Sequence, residues 1–229
     1  MPRKPTQKRA RATVEAIIEA GFICVAERGA ADTTTRHIAE KAGISVGSLY
    51  EYFANKEQIF TAMNERFVDE VVAMIQPRTA DLVRMSIEDM VRTLLEGFRE
   101  LLSRNDERYL KSVRSAIRMD SKVSYGPVNK ILGELVMQHL LHHPENLQVR
   151  RIPTMTYIFI NGGIFALIRH LSDPNPPVTF DELVDGLAVM VGHYVAQERQ
   201  LLALKDSTSS KGDSNQGASA SAAVTPSSQ

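Results

Sequence analysis

Tryptophan is absent, cysteine occurs once, and aromatic residues make up only 6% of the chain. The single Cys24 excludes an internal disulfide and an all-cysteine metal site, which suits a reducing compartment. Neither sign of charge predominates, because 27 Lys and Arg balance 27 Asp and Glu. That balance excludes a histone-like binder acting by bulk charge and leaves room for a local basic patch. Residues 1–12 lack the apolar segment of a signal peptide, so a cytoplasmic location is expected. Long apolar runs are scarce too. The longest uncharged stretch, Ile152 to Ile168, has seventeen residues and includes Pro153, two Thr, Asn161 and a Gly pair. A membrane span needs about 20 mostly apolar residues, so this stretch reads as a buried helix.

Strand signals are nearly missing, since no Asn-Gly or Asp-Gly turn sits between alternating runs. What remains is a 229-residue chain, 43% hydrophobic and 24% charged, with enough apolar material for a sizeable core. After Pro5 no proline occurs until Pro77; Pro127, Pro144, Pro153 and the cluster Pro174, Pro176, Pro177 follow. Proline is disfavoured inside helices by its missing donor and its ring, so the intervals are helical blocks. Val14, Ile17, Ile18, Phe22 and Val25 form the stripe of a first helix that stops at Gly29. Short helices are expected over 34–42 and 45–53, a long one over 55–76 opened by Asn55 and Gln58, and further helices near 86–104, 106–119, 127–143, 153–172 and 179–204. The predicted fold is all-α, with about nine helices. The Ser-, Ala- and Gly-rich segment 206–229 buries too little to order itself and is expected to be a disordered tail.

The informative stretch runs from Thr34 to Phe53, TTRHIAEKAGISVGSLYEYF. Two short amphipathic helices joined at Gly43 fit a helix-turn-helix, whose second helix enters the DNA major groove. The residues at its start, Ser45, Val46, Gly47 and Ser48, are small and uncharged, so the backbone can approach base edges closely. Ser48 can hydrogen-bond a base edge and Val46 can meet a thymine methyl. Around them Thr34, Arg36, Tyr50, Tyr52 and Lys56 supply groups suited to phosphate oxygens. Upstream, Arg3, Lys4, Lys8, Arg9 and Arg11 form a run of positive charge without an acid, expected to be a flexible basic arm over 1–12. Residues 1–66 carry ten basic against eight acidic side chains, and 67–229 seventeen against nineteen, so the polarity of the chain is weak.

This stretch resembles the DNA-binding signature of the tetracycline-repressor (TetR) family of transcriptional regulators. The resemblance rests on Thr34-Thr35-Arg36, Ile38-Ala39, Ala42-Gly43-Ile44-Ser45, Gly47-Ser48-Leu49-Tyr50, Tyr52-Phe53 and Lys56-Glu57, with Glu27-Arg28-Gly29 ending the preceding helix. It covers about residues 10–70. It implies that Ile38, Ala39, Ile44, Leu49 and Phe53 are scaffold, that Thr34, Arg36, Tyr50, Tyr52 and Lys56 meet phosphates, and that Val46, Gly47 and Ser48 face the bases. Val46 departs from the basic residue often found there, which bears on the operator sequence. The implied organisation is a DNA-binding domain over 13–76 and a helical effector-binding and dimerisation domain over 77–205. The implied function is a homodimeric regulator, a repressor released from a near-palindromic operator by a small apolar or amphipathic effector. The alternatives are an activator of the same family and a helical small-molecule binder or adaptor without a DNA function.

Other constellations point less sharply. His139, His142 and His143 share a helix end and lack an acidic or cysteine partner at companion spacing, so a helix-dipole role is expected and no metal or cofactor. Cys24 sits among apolar neighbours and reads as core. No phosphate loop, nucleophile elbow or paired-carboxylate motif appears, so no enzyme activity is expected. Six of nine methionines lie between residues 74 and 155, which suits an adaptable apolar pocket or a loosely specified core. Met90, Phe98, Tyr109, Met119, Tyr125 and Asn161 are the candidate pocket residues. Gly162, Gly163, Phe165, Leu187, Val191 and Tyr194, on the two most apolar helices, are the candidates for a dimer interface.

Overall fold

The computed structural model describes residues 4–118 and 126–216, and among these every regular element is helical. The order is α1 (Lys4–Asp32), α2 (Thr35–Ala42), α3 (Val46–Tyr50), α4 (Lys56–Ile75), α5 (Thr79–Leu82), α6 (Ile87–Arg118), α7 (Gly126–His142), α8 (Ile152–Leu171) and α9 (Phe180–Gln216), with 3₁₀ turns at Gln76–Arg78 and Pro144–Asn146.

Helices α1 to α4 form the N-terminal unit. The stripe of α1 buries Ile17, Phe22, Cys24 and Val25 against α2, α4 and α6. Gly21 lets α1 and α4 approach closely: a Cβ there would lie 2.7 Å from Met63 Sδ. Helical geometry in α1 breaks at Gly29, where φ is 82°, a backbone state open to glycine at little cost. Thr33, fully buried beyond the break, donates its hydroxyl to the Gly29 carbonyl at 2.7 Å. Ion pairs fasten the outside of α1, Glu15 to Arg66 of α4, Glu19 to Arg108 of α6, and Glu27 to Lys41 of α2 at 2.7 Å.

The C-terminal unit packs α6 against α8 and α9, and α7 against α8 and α4. Its core includes Met90, Phe98, Leu101, Leu132, Leu135, Leu167 and Val184. Arg92 of α6 meets Asp185 of α9 at 2.9 Å. Within α6 the backbone leaves the helix at Arg104 (ψ 151°), and Asn105, Asp106 and Glu107 take positive φ of 50°, 55° and 59°. The break falls where the sequence pattern separates two helices near residue 105. Beyond it the second half of α6 turns back onto α1, and Ser115 Oγ accepts the Ala30 amide at 2.8 Å.

Three expectations need correction. Residues 4–12 are not a separate arm, because α1 is helical from Lys4 onward. Pro5 sits in the first turn, where its missing N–H is harmless, and the Lys, Arg and Ala that follow are strong helix formers. At the other end α9 continues to Gln216, so the expected tail begins inside a helix; residues 217–229 lie outside the described part. The apolar stretch 152–168 is helical as expected but not wholly buried. Helix α8 is long and apolar enough to cross a membrane by length and composition, and it packs on α6, α7 and α9. Its opposite face exposes Tyr157, Ile158 and Phe165.

Candidate nucleic-acid interface

The geometry of α2 and α3 is set by local capping. Thr34 Oγ1 accepts the His37 amide at 3.2 Å and opens α2. Gly43 closes it with φ of 69°, its N–H directed to the carbonyls of Ala39 and Glu40. That left-handed turn reverses the chain for α3 and fits glycine without Cβ strain. Ser45 then caps α3: its Oγ accepts the Ser48 amide at 3.0 Å and its hydroxyl lies 3.0 Å from Ser48 Oγ as a donor. Ile38, Ala39, Leu49 and Phe53 anchor the pair from below, all buried in the core shared with α1 and α4.

The outer surface is consequently an exposed edge made of the predicted residues. Thr34, Arg36, Ser45, Val46, Gly47, Tyr50 and Tyr52 are exposed, while Ser48 and Lys56 are half-buried. Tyr50 is 51% exposed, and its hydroxyl lies 3.2 Å from Thr35 Oγ1, which joins the end of α3 to the first turn of α2. Lys56 lies at the first turn of α4, its ammonium donating to the Ala30 carbonyl at 3.4 Å and resting 5.5 Å from the Phe60 ring centre. Asn55 caps that helix through the Gln58 amide at 2.9 Å, and Gln58 Oε1 accepts from the Ala54 N–H. The edge thus presents hydroxyls, one ammonium and a helix N-terminus, the donor set that phosphate oxygens accept from. Between them, the small residues Val46, Gly47 and Ser48 can come close to a base edge.

A second feature lies in the C-terminal unit. α6, α7, α8 and α9, with the turn that follows α7, line a half-open pocket of about 160 Å³. Met90, Leu94 and Phe98 line it from α6, Met155 and Phe159 from α8, and Leu187 and Val191 from α9. Its polar lining comes from His139, Asn146, Thr156 and Tyr194.

Residues 17–63 match the model of the bacterial regulatory proteins of the tetR family. The chain is 28% identical over 102 residues to the nucleoid occlusion factor SlmA of Haemophilus ducreyi, covering 44% of this chain and 49% of that protein. It is 42% identical over 57 residues to the HTH-type transcriptional repressor KstR2 of Mycobacterium tuberculosis, covering 25% of this chain and 28% of that one. It spans about half the length of the SlmA relatives it matches. The fold is similar to that of a putative TetR-family transcriptional regulator from Mesorhizobium loti, with a TM-score of 0.60 at 18% identity over 82% of this chain and 97% of the other. The N-terminal unit is a TetR-family domain.

The remaining predicted residues lie in different parts of the fold. Met90 and Phe98 line the cavity. Tyr109 does not: it sits beyond the α6 break, buried edge-on against Phe22 at 5.0 Å and beside Phe67 at 5.6 Å, so it belongs to the seam between the TetR-family domain and α6. Asn161 also misses the cavity, its amide donating to the Tyr157 carbonyl at 2.7 Å and its Oδ1 accepting from Asn129 at 3.0 Å. Met119 and Tyr125 lie outside the described residues. Of the proposed dimer residues, Gly162 and Phe165 face outward, whereas Gly163, Leu187, Val191 and Tyr194 line the cavity wall. Both faces of α8 are apolar, so its composition alone does not say which side turns inward.

The residues predicted from sequence omit Thr35, the partner of Tyr50, and the polar pocket residues His139, Asn146 and Thr156. In the sequence His139 carries only the signal of a helix-end histidine, and Asn146 carries no motif. Burial, reinforced by the neighbouring His143, holds the His139 imidazole below its ordinary pKa and hence neutral. Among the described residues no group of three His, Cys, Asp or Glu side chains is placed to hold a metal.

Proposed function

We propose that the protein is a cytoplasmic, homodimeric, ligand-responsive transcriptional regulator that binds DNA through α3 and acts as a repressor. The observation that carries this reading is the exposed edge from Thr34 to Lys56, where capped short helices place uncharged small residues between phosphate-type donors. Two copies are needed because one α3 of five residues reads only a half-site, and two-fold protein symmetry calls for near-palindromic DNA. The exposed apolar residues of α8 and α9, Tyr157, Ile158 and Phe165 on one and Val189 on the other, support a dimer contact on these helices. Repression is supported by the likeness to KstR2, itself a transcriptional repressor.

The cavity takes a small apolar or amphipathic effector. Release from the operator follows when that effector binds one arrangement of the two α3 helices more tightly than the other. Selection of binding sites from random DNA tests the reading. The expected result is an inverted repeat bound by a dimer, with affinity falling steeply as salt rises. Absence of a sequence-selective complex at moderate salt would favour a helical small-molecule binder. Position of the selected site relative to a promoter separates repression from activation.

A further inference from the structure

The polar lining of the pocket narrows what it can hold. His139 is 1% exposed and Asn146 is 6% exposed, and both face the cavity. His139 Nδ1 and Asn146 Oδ1 have no hydrogen-bond partner among the described residues. They are neighbours in the turn that ends α7: the His143 amide donates to the His139 carbonyl at 3.0 Å, and the Asn146 amide to the His143 carbonyl at 2.8 Å. Two buried, unpaired polar atoms on residues that line a largely apolar, half-open pocket are costly unless a molecule entering it meets them. The other polar group whose bond is fixed, the Tyr194 hydroxyl, already donates to the Arg150 carbonyl at 2.6 Å.

We infer that the cavity binds an uncharged, largely apolar molecule bearing a hydroxyl, a phenol or an alcohol, held by His139 and Asn146 together. This rests on the effector-pocket reading and specifies its ligand. A hydroxyl both donates and accepts, so it answers an imidazole Nδ1–H and an amide oxygen at once. If the imidazole tautomer and the amide orientation are both reversed, the same hydroxyl answers them with the two bonds exchanged. A ketone or ether only accepts and leaves the amide oxygen unpaired. A carboxylate or phosphate is disfavoured because among the described residues no Lys or Arg lines the pocket, and an unpaired buried anion is expensive. The volume, about 160 Å³, is close to the roughly 150 Å³ of a protein cavity that takes benzene, so one ring fits without rearrangement. Met90, Met155 and Met190 can shift to admit a short substituent.

Titration calorimetry of the full chain with 4-ethylphenol, ethylbenzene and 4-ethylbenzoate tests the assignment. The phenol should bind at least about tenfold more tightly than ethylbenzene, and the benzoate most weakly. In Asn146→Leu and in His139→Phe, phenol and hydrocarbon should bind with similar affinity. Should either variant fail to fold, the ranking of the three compounds on the unmodified protein still decides. Equal binding of phenol and hydrocarbon overturns the hydroxyl, preference for the benzoate overturns the uncharged class, and no binding by any of the three overturns the inference outright. In each of these cases the DNA site selection, run on the same preparation, tells separately whether the regulator reading stands.

Discussion

Tyr50 Oη and Thr35 Oγ1 lie 3.2 Å apart across the elbow between α2 and α3, so the tyrosine ring is aimed by a residue fifteen positions earlier. Tyr50→Phe removes a donor that every phosphate can accept from. Binding should weaken about fivefold, for a loss of about 1 kcal/mol, on selected and random duplexes alike. Competition gel shifts at fixed salt check this, and a loss confined to one sequence would contradict a phosphate role.

Ser45 and Ser48 divide their duties. Ser45 Oγ is occupied by the cap, whereas Ser48 has its own hydroxyl hydrogen free to turn toward DNA. Ser45→Ala should cost about 1 kcal/mol of stability and lower affinity for all sites. Ser48→Ala should leave stability nearly unchanged and relax preference at one or two base pairs. Thermal melts and repeat site selection on the two variants distinguish these outcomes.

Phe165 stands 60% exposed on the outward face of α8. A glutamate there places charge at the centre of the proposed dimer contact. Phe165→Glu should shift the protein toward monomer in sedimentation velocity and reduce operator affinity by more than about tenfold, with helicity retained. An unchanged dimer would move the interface elsewhere.

Glu107 occupies left-handed backbone, with φ of 59° and ψ of 25°, and its side chain is exposed. Glycine adopts this state without Cβ strain, so Glu107→Gly should gain about 1 kcal/mol. In a chain of this size that corresponds to a melting temperature raised by about 2–4 °C. Calorimetry checks the sign.

His139 is held neutral in the fold, so its pKa is lower there than the value of about 6.5 in the unfolded chain. Below that pH the unfolded state binds the proton more readily. Stability is therefore full above about 6.5 and falls as pH drops through and below it. His139→Phe should flatten this dependence in melts between pH 5 and 8.

The N-terminal unit was legible because its determinants are local. Thr34, Gly43, Ser45 and Asn55 each act within three or four residues, and each announces a helix boundary by its own chemistry. The C-terminal unit was legible only as a set of helices. Tyr109 meets Phe22 and Phe67, partners that no periodicity within α6 could name. Leu187, Val191 and Tyr194 share the apolar stripe of α9, yet that stripe borders a cavity, and the distinction between a packed face and a hollow one depends on the neighbouring helices. His139 and Asn146 become a pair only because the chain turns at Pro144, which brings an imidazole and an amide to the same mouth.

The break at Arg104–Glu107 divides α6 into two limbs with different loads. The first limb lines the pocket; the second holds α1 through Arg108, paired with Glu19, and through Ser115, beside the glycine where α1 breaks. Along α6 itself, four non-helical residues separate Met90 and Phe98 from the contact with Ala30, whereas the first limb meets α4 directly at Gly97, a Cβ on which would lie 2.9 Å from Met74 Sδ. The backbone joint and the side-chain seat on α4 are thus two separate linkages between the pocket wall and the N-terminal helices, one compliant and one close-packed.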